Sequence, residues 1–569
     1  MQSADGPSAM AQPLWNNHDV FKRSFNHWQV SLAGSLWLAL PANLALWRHL
    51  GALDDVHGAA GLAFSAGFAL AIAALLMALL SLLGWGRLLK PTLIVLLLAA
   101  AFGAHFMLSY GIVIDSSMLT NALQTDAREA TDLLNLRLLA TVLVLGVLPA
   151  WWVWRVPMHR VPWRRHVLHQ SLALLASVLV VAGFAAASFQ TLAPLMRNHK
   201  EVRFLVNPLN SLYALGRAVA GERTQRALPL QPLAEDARLG DRHASGKPPL
   251  LLLVVGETAR SDHFSLNGYG RDTNPRLAAL PDVVSWRQVT SCGTSTAASV
   301  PCMFSHLGRE AFIDSGQRFE NLLDVLQRAG LAVLWIDNQS GCKGVCDRVP
   351  TVPAAEVARA AACRDEDCMD DAMLRALDER IAALDAQRRS RGVVVVLHEM
   401  GSHGPAYSKR SAPAHKAFLP ECGTTQLQDC ERQHVVNAYD NSLRETDHFL
   451  AEAIGWLRAR ERSHATALLY LSDHGESLGE KNLYLHGLPY AMAPMEQKHV
   501  PMVAWLSPQM ESAARVSTEC LRRERDRALS HDHLFHSVLG LMDVRTRVYR
   551  PELDFWAPCK GAGAAAPAG

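Results

Sequence analysis

The stretch VTSCGTSTAASVPC, residues 289–302, places Thr294, Ser295 and Thr296 between Cys292 and Cys302, in front of a predicted helix start near Ala297. Two readings fit this stretch alone. One is a Ser/Thr-rich helix cap; the other is a hydroxyl nucleophile on a cross-linked loop at a helix N-terminus. An alcohol is a poor nucleophile at neutral pH and needs an adjacent base or a metal. Three predicted strands elsewhere run straight into polar clusters: GETARSDH from Gly256, HEMGSHGP from His398 and SDHGESLG from Ser472, with YLHG adding His486. Ligands of open α/β sheets sit beyond the carboxyl ends of the strands. Glu257, His398, His403, Asp473 and His474 are therefore expected to converge. Each has an ordinary alternative: a first-turn acid, an N-cap, a core histidine, an exposed loop histidine. Two carboxylates, several histidines and a hydroxyl cluster at one sheet edge instead suit zinc, which accepts carboxylate oxygen and imidazole nitrogen. A zinc on Glu257, Asp473 and His474, with a threonine oxygen as fourth ligand, supplies the missing activation. The free N–H groups of the following helix attract an anion. Metal, alkoxide and helix dipole together suit attack on phosphorus. No GxxxxGK[ST] loop is present, so nothing points to a nucleoside triphosphate.

The elements that must position these residues are of two kinds. From residue 250 onward, short apolar strands are predicted at 251–256, 331–336, 393–398, 467–472 and 500–506. Helical stretches separate them near 319–329, 370–387, 437–459 and 531–542. Continuous apolar strands alternating with helices predict a mostly parallel sheet covered on both faces. Before residue 190 lie five apolar runs, 28–47, 59–83, 91–114, 138–154 and 167–189. Each is long enough to cross a bilayer, which takes about 20 residues. The first is too long for a cleavable signal and lacks a cleavage site after it.

Lys22 and Arg23, Arg87 and Lys90, and Arg155, Arg160, Arg164 and Arg165 mark one set of loops; Asp54, Asp55, Asp115, Asp126, Glu129 and Asp132 mark the other. The basic loops face the cytoplasm, which places everything after residue 190 outside. All ten cysteines lie at or beyond Cys292, as expected of disulfides in an oxidising compartment. Paired CxxC motifs are absent, and pairing of near neighbours, ending with Cys520–Cys559, is the expected connectivity. A net charge of +2 gives no overall attraction to nucleic acid.

VVGETARSDHFSLNGYGRDTNP, SCGTSTAASVPCMFS, HEMGSHGPAY and LSDHGESLGEKNLYLHGLPY closely resemble the membrane-bound phosphoethanolamine transferases that modify lipid A, a family that includes the colistin-resistance enzymes. The resemblance covers nearly the whole chain. It implies a five-helix all-α membrane bundle followed by an α/β domain of the alkaline phosphatase/sulfatase type. The expected organisation is a cytoplasmic tail 1–27, a transmembrane domain 28–190, a periplasmic linker 191–247 whose stretch 208–225 reads equally as an interfacial helix or an ordinary connecting helix, a periplasmic catalytic domain 248–560 and a disordered tail 561–569, in a bacterial inner membrane.

Carried over by position, the resemblance puts zinc ligands on Glu257, Thr296, Asp473 and His474, and selects Thr296 as the nucleophile. It puts substrate-side histidines at His403 and His486, where a second zinc can bind, with His398 in the same motif. IDSSMLTNALQTDARE resembles the lipid-holding loop after the third span and places Asn121, Thr125 and Glu129 there. Glu399 stands where the family usually has Gln, a swap that adds a charge near the site. The implied donor is phosphatidylethanolamine and the implied acceptor a phosphate of lipid A, with polymyxin resistance as the outcome and a monomer at the membrane as the working form. The rival enzymes are a phosphoglycerol transferase and a lipopolysaccharide-core phosphoethanolamine transferase; SVPCMFS lacks the Arg of a sulfatase. A non-catalytic sensor is the rival of a different class.

Overall fold

The structure, a computed structural model, describes residues 24–124, 127–159, 161–243, 246–358, 363–364 and 367–561. Thr125, the side chain of Glu129, most of the expected N-terminal tail and residues 562–569 of the expected C-terminal tail lie outside them. The chain divides into two compact units. One comprises the chain up to His105 with Leu136–Ser211; the other comprises Phe106–Asn135 with Leu212 onward.

Among the described residues, five helices are long and apolar enough to cross a membrane: His27–Gly51, Gly58–Leu83, Gly86–Tyr110, Leu136–Arg155 and Trp163–Ala187. The first breaks at Pro41, because proline has no N–H to continue the ladder. A polar side chain repairs the break: Asn43 Nδ2 donates to the Leu38 carbonyl at 2.6 Å. Asn207 in turn donates its backbone N–H to Asn43 Oδ1 at 2.8 Å and its Nδ2 to the Ala42 and Ala100 carbonyls. Freed backbone groups in an apolar medium need such partners.

The second unit is built on an eight-stranded sheet. Its strands are β1 (Pro249–Gly256), β2 (Val283–Thr290), β3 (Ala332–Asp337), β4 (Thr351–Pro353), β5 (Val393–His398), β6 (Ala465–Ser472), β7 (His499–Leu506) and β8 (Leu529–Ser530). They lie in the order β8-β2-β7-β6-β1-β5-β3-β4. Only β7 runs against its neighbours, so the sheet is mostly parallel, as predicted. Alternate residues of β1 divide between two cores. Leu251, Leu253 and Val255 face one core with helices Leu322–Arg328 and Leu534–Leu541; Leu250, Leu252 and Val254 face the other with helix Arg432–Arg458. Burial on both faces explains the unbroken apolar runs that made these strands readable.

Two local features differ from the predicted pattern. The amphipathic strand β2 and the short β4 and β8 extend the sheet beyond the five apolar strands. The helical stretch expected near 370–387 is three short pieces, Asp370–Leu374, Leu377–Ala382 and Ala386–Arg389. Ala376 takes a left-handed φ of 52° between the first two, and the buried Asp370 carboxylate accepts the Met400 and Gly401 N–H groups instead of capping its own helix. Helix Leu209–Ala227 covers the stretch read as an interfacial or connecting helix. Five disulfides pair near neighbours, 292–302, 342–346, 363–368 and 422–430, with the fifth joining Cys520 to Cys559.

Candidate metal centre

Register brings the chemistry together. Ser472, the last residue of β6, pairs with Gly256, the last of β1; His398, the last of β5, pairs with Val255. The next residues, Glu257, Asp473 and Glu399, therefore leave the sheet at one level. Glu257, Asp473 and His474 offer ligand atoms all within 4.8 Å of one another, and all three are buried. His474 Nε2 lies 3.3 Å from Glu257 Oε1 and 3.3 Å from Asp473 Oδ2. His474 Nε2 and Asp473 Oδ2 nonetheless have no aligned hydrogen-bond partner. The other atoms of these side chains are committed. His474 Nδ1 donates to the Gly475 carbonyl at 2.9 Å, which leaves Nε2 as the nitrogen facing the two carboxylates. Asp473 Oδ1 accepts the N–H groups of Thr258 (3.1 Å) and His474 (2.7 Å). Two buried carboxylate oxygens and an imidazole nitrogen facing one point form a donor set that a divalent cation completes.

The nucleophile candidates are separated here. Thr296 opens helix Thr296–Met303, with Ser295 extended before it at φ −154°. Its hydroxyl donates to Glu257 Oε2 at 3.0 Å. Thr294 turns the other way, its hydroxyl donating to the Leu488 carbonyl at 2.6 Å. Of the hydroxyls left open by the sequence, Thr296 is the one bonded to the cluster.

The backbone supports these placements. Thr258, next to Glu257, has a φ of 60°, and Leu485, next to His486, one of 64°. Positive φ at such residues costs on the order of 1–3 kcal/mol and persists where the surroundings over-determine it. Thr258 is fixed by its hydroxyl bond to Glu257 and by Tyr439, whose hydroxyl donates to the Thr258 carbonyl at 2.8 Å. Gly401 has a φ of 49°, and a Cβ there would stand 2.8 Å from the Glu257 carbonyl oxygen, so HEMGSHGP approaches only with glycine at that point.

Electrostatics follow from burial and charge. Burial opposes ionisation of Glu257, but the imidazoles of His474, His403 and His486 hold its carboxyl well below the usual range. Burial, then repulsion from Glu257, raises Asp473 to about 7. Burial disfavours the charged His474, yet Asp473 and Glu257 raise it to about 10. Buried acids thus take up positive charge from whatever is at hand, and a bound cation meets the same demand. Glu399 is buried, and burial together with Asp370 and Glu257 pushes its carboxyl well above the usual range.

A second cluster adjoins the first. His474, Glu476 and His486 also offer ligand atoms within 4.8 Å of one another. Glu476 accepts from His486 Nδ1 at 2.7 Å and from the Tyr407 hydroxyl. The His486 ring centre lies 4.2 Å from that of His474 and 5.6 Å from that of His403. His398, also a candidate, has no exposed surface, and its Nδ1 pairs with Asp337 at 2.8 Å. Asn121 lies half-buried on helix Ser116–Gln124. That helix packs against Thr296–Met303, and a cavity of about 960 Å³ between them is lined by Ser116, Thr120, Gln124, Ala297, Ala298 and Lys343, among others. Sequence reasoning missed Glu476, four residues after Ser472, and Gln339, which donates to Glu257 Oε2 at 2.9 Å. SDHGESLG carries Glu476 in plain view; Gln339 follows β3 closely, but no motif marks it.

The Sulfatase family profile matches residues 249–544, and that of phosphoethanolamine transferase EptA/EptB matches residues 72–222. Phosphatidylethanolamine transferase Mcr-2 of Escherichia coli is 37% identical over 93% of this chain and 98% of its own. Phosphoethanolamine transferase EptA of Salmonella typhimurium is 41% identical over 82% of this chain and 85% of its own. Among solved structures, the integral membrane lipooligosaccharide phosphoethanolamine transferase A of Neisseria meningitidis superposes with a TM-score of 0.89 at 34% identity, covering 95% of this chain and all of that one. With near-complete coverage at such identity, and with a sulfatase-type sheet carrying the metal-capable cluster at its edge, the chain belongs to the phosphoethanolamine–lipid A transferase family.

Proposed function

We propose that this protein transfers phosphoethanolamine from phosphatidylethanolamine to a phosphate group of lipid A through a covalent adduct on Thr296, with zinc as its metal. The observation that carries this reading is the Thr296 hydroxyl at a helix N-terminus, 3.0 Å from Glu257 in the buried Glu257–Asp473–His474 cluster. Glu257, Asp473, His474 and Thr296 would hold the zinc. When bound, it supplies the positive charge that activates the threonine oxygen and offsets charge at phosphorus.

Thr296 Oγ1 gives up its hydroxyl proton along its hydrogen bond to Glu257 Oε2 and forms its bond to the donor phosphorus as the bond from phosphorus to the diacylglycerol oxygen breaks. That oxygen leaves with a proton, which His486 is placed to give: Glu476 fixes its Nδ1, so Nε2 is the working nitrogen. His403, half-buried beside it, is the other candidate. In the second half, a phosphate hydroxyl of lipid A gives its proton to His486 and attacks the same phosphorus, and the bond to Thr296 breaks as Oγ1 takes its proton back from Glu257. The free N–H groups at the start of helix Thr296–Met303 favour the anionic phosphoryl group.

Asn121, Thr125 and Glu129 hold the ethanolamine end of the donor. The five apolar helices anchor the enzyme in a bacterial inner membrane, where the two acyl chains of its donor also reside, and the catalytic unit stands in the periplasm, where disulfides persist. A structure of 38% identity over the matched domain is described as the C-terminal periplasmic domain of a Campylobacter jejuni phosphoethanolamine transferase. The added ammonium reduces the net negative charge of lipid A and so weakens binding of cationic polymyxins.

Intact-mass analysis of lipid A from cells with and without the protein tests the reading. A gain of one phosphoethanolamine is expected. A gain of phosphoglycerol, or modification of the core sugars with unmodified lipid A, contradicts it.

A further inference from the structure

The loop before Thr296 is held group by group. The Tyr490 hydroxyl donates to the Ser291 carbonyl at 3.0 Å, and Arg309 Nε donates to the Cys292 carbonyl at 2.8 Å. The Gly293 N–H donates to Ser299 Oγ at 2.9 Å. The Cys292 N–H donates to a residue far along the chain, Nδ1 of His531, at 3.1 Å. The other nitrogen of the same ring, Nε2, lies 2.9 Å from the Ser472 carbonyl. Because Nδ1 accepts, Nε2 carries the proton and donates.

Ser472 is where the metal-capable segments meet. It ends β6 directly before Asp473 and His474, and its hydroxyl oxygen accepts the N–H of Ala259, two residues past Glu257, at 2.8 Å. One imidazole therefore bridges the nucleophile loop, which Cys292–Cys302 ties to the Thr296 helix, and the strand end that presents Asp473 and His474.

We infer that His531 is a positioning residue for phosphoryl transfer: its two hydrogen bonds set the separation between Thr296 and the Glu257–Asp473–His474 cluster. The inference rests on the function proposed above. His531 is 1% exposed, so an apolar replacement leaves a buried N–H and a buried carbonyl without partners. Burial pushes its pKa down to about 4, which keeps it in the neutral, bridging form. No charge is transferred through it. Its role is geometric, like the outer partners of metal ligands, whose loss costs about 10–100-fold in activity or metal affinity. No sequence motif marks it, because nothing local in LSHDHLFHS announces a partner at Cys292.

The test uses the full-length protein in detergent with phosphatidylethanolamine, and follows the rate at which the Thr296 peptide gains phosphoethanolamine, the apparent KM for the donor, and bound zinc. His531→Leu removes both bonds. His531→Gln keeps a donor and an acceptor about as far apart as the ring nitrogens, but not in the same places. His531→Leu is expected to slow adduct formation roughly 10–100-fold, with full zinc and a KM within about threefold; His531→Gln is expected to recover at least about fivefold of that loss. Should His531→Leu fail to fold, His531→Asn, whose shorter amide cannot reach both partners at once, decides: slower adduct formation at full zinc and unchanged KM supports the inference, and the parent rate overturns it. Two further results overturn it: a folded His531→Leu that forms adduct at the parent rate, or one whose loss is matched by lost zinc and not recovered by His531→Gln. A parent chain that acquires no adduct overturns the proposed function and, with it, the positioning role; adduct in the parent and an equal rate in the folded variant overturns the positioning role alone.

Discussion

The cluster at the sheet edge and the segment after the third apolar helix are assigned to the same reaction, yet they are built differently. Glu257, Asp473 and His474 are buried, their backbone set by strand register and their spare atoms committed to neighbours. In the other region, helix Ser116–Gln124 lines the cavity beside Thr296, and helix Ala127–Asp132 is fastened by Asp132 to Lys409 and Arg410. Covalent chemistry needs atoms held to a fraction of an ångström. Grasping a lipid headgroup needs complementary charge near an open cavity and tolerates more freedom. Substitutions at the sheet edge should therefore abolish the reaction, and those in the segment should weaken it.

The sharpest way to break that contrast is Thr296→Ala. Transfer should fall on the order of 10³-fold or more while thermal unfolding stays close to the parent. Substantial residual transfer would move the nucleophile elsewhere in the loop. Next come Glu257→Ala and Asp473→Ala, each expected to lose zinc by elemental analysis together with activity; chelation of the parent should do the same, with Zn²⁺ restoring it. Full zinc in both variants would remove them from the centre.

Glu129→Ala belongs to the other side of the comparison. A charged hydrogen bond to the donor ammonium is worth roughly 1.5–3 kcal/mol, so lipid A modification should drop about tenfold or more at unchanged zinc content. No drop at equal expression would take this segment out of the site. Reduction of the disulfides should lower the melting temperature of the catalytic unit, each bridge contributing about 2–4 kcal/mol; a melting temperature indifferent to reductant contradicts the pairing.

The smallest effect is on the acid limb of stability. Burial pushes His306, His531 and His536 each down to about 4, against an ordinary value of about 6.5. Between these values the unfolded chain binds more protons than the folded one. Their stabilisation is present in full above about pH 6.5 and drains as pH falls toward 4. His306→Phe, measured with zinc removed from both proteins, should lose less melting temperature over that window than the parent. An identical slope would show that His306 is already charged in the folded state.

How far the sequence reveals all this depends on locality. Runs such as LLLVVG and VVVVLH announce buried parallel strands, and the polar residues that follow them announce a sheet-edge site, because both signals are short-range. Strand β2 was not legible: VVSWRQVT interleaves polar Ser285, Arg287 and Gln288 with its apolar residues and has no unbroken apolar run. Thr296 could be distinguished from Thr294 by resemblance but not by chemistry, since the choice depends on the backbone turn at Ser295. Asp370 reads as the start of a helix but serves as a cap for Met400 and Gly401. Glu399 gives no sign in the sequence of its burial near Asp370 and Glu257. Each miss lies where a partner distant in sequence decides the role.

The centre itself is best tested by peptide mass spectrometry on the full-length protein after incubation with phosphatidylethanolamine. One phosphoethanolamine should be found on Thr296 in the parent, and none in Thr296→Ala or in zinc-depleted protein. An adduct on Thr294 or Ser295, or one that survives Thr296→Ala, would contradict the assignment of this hydroxyl to the metal-held nucleophile.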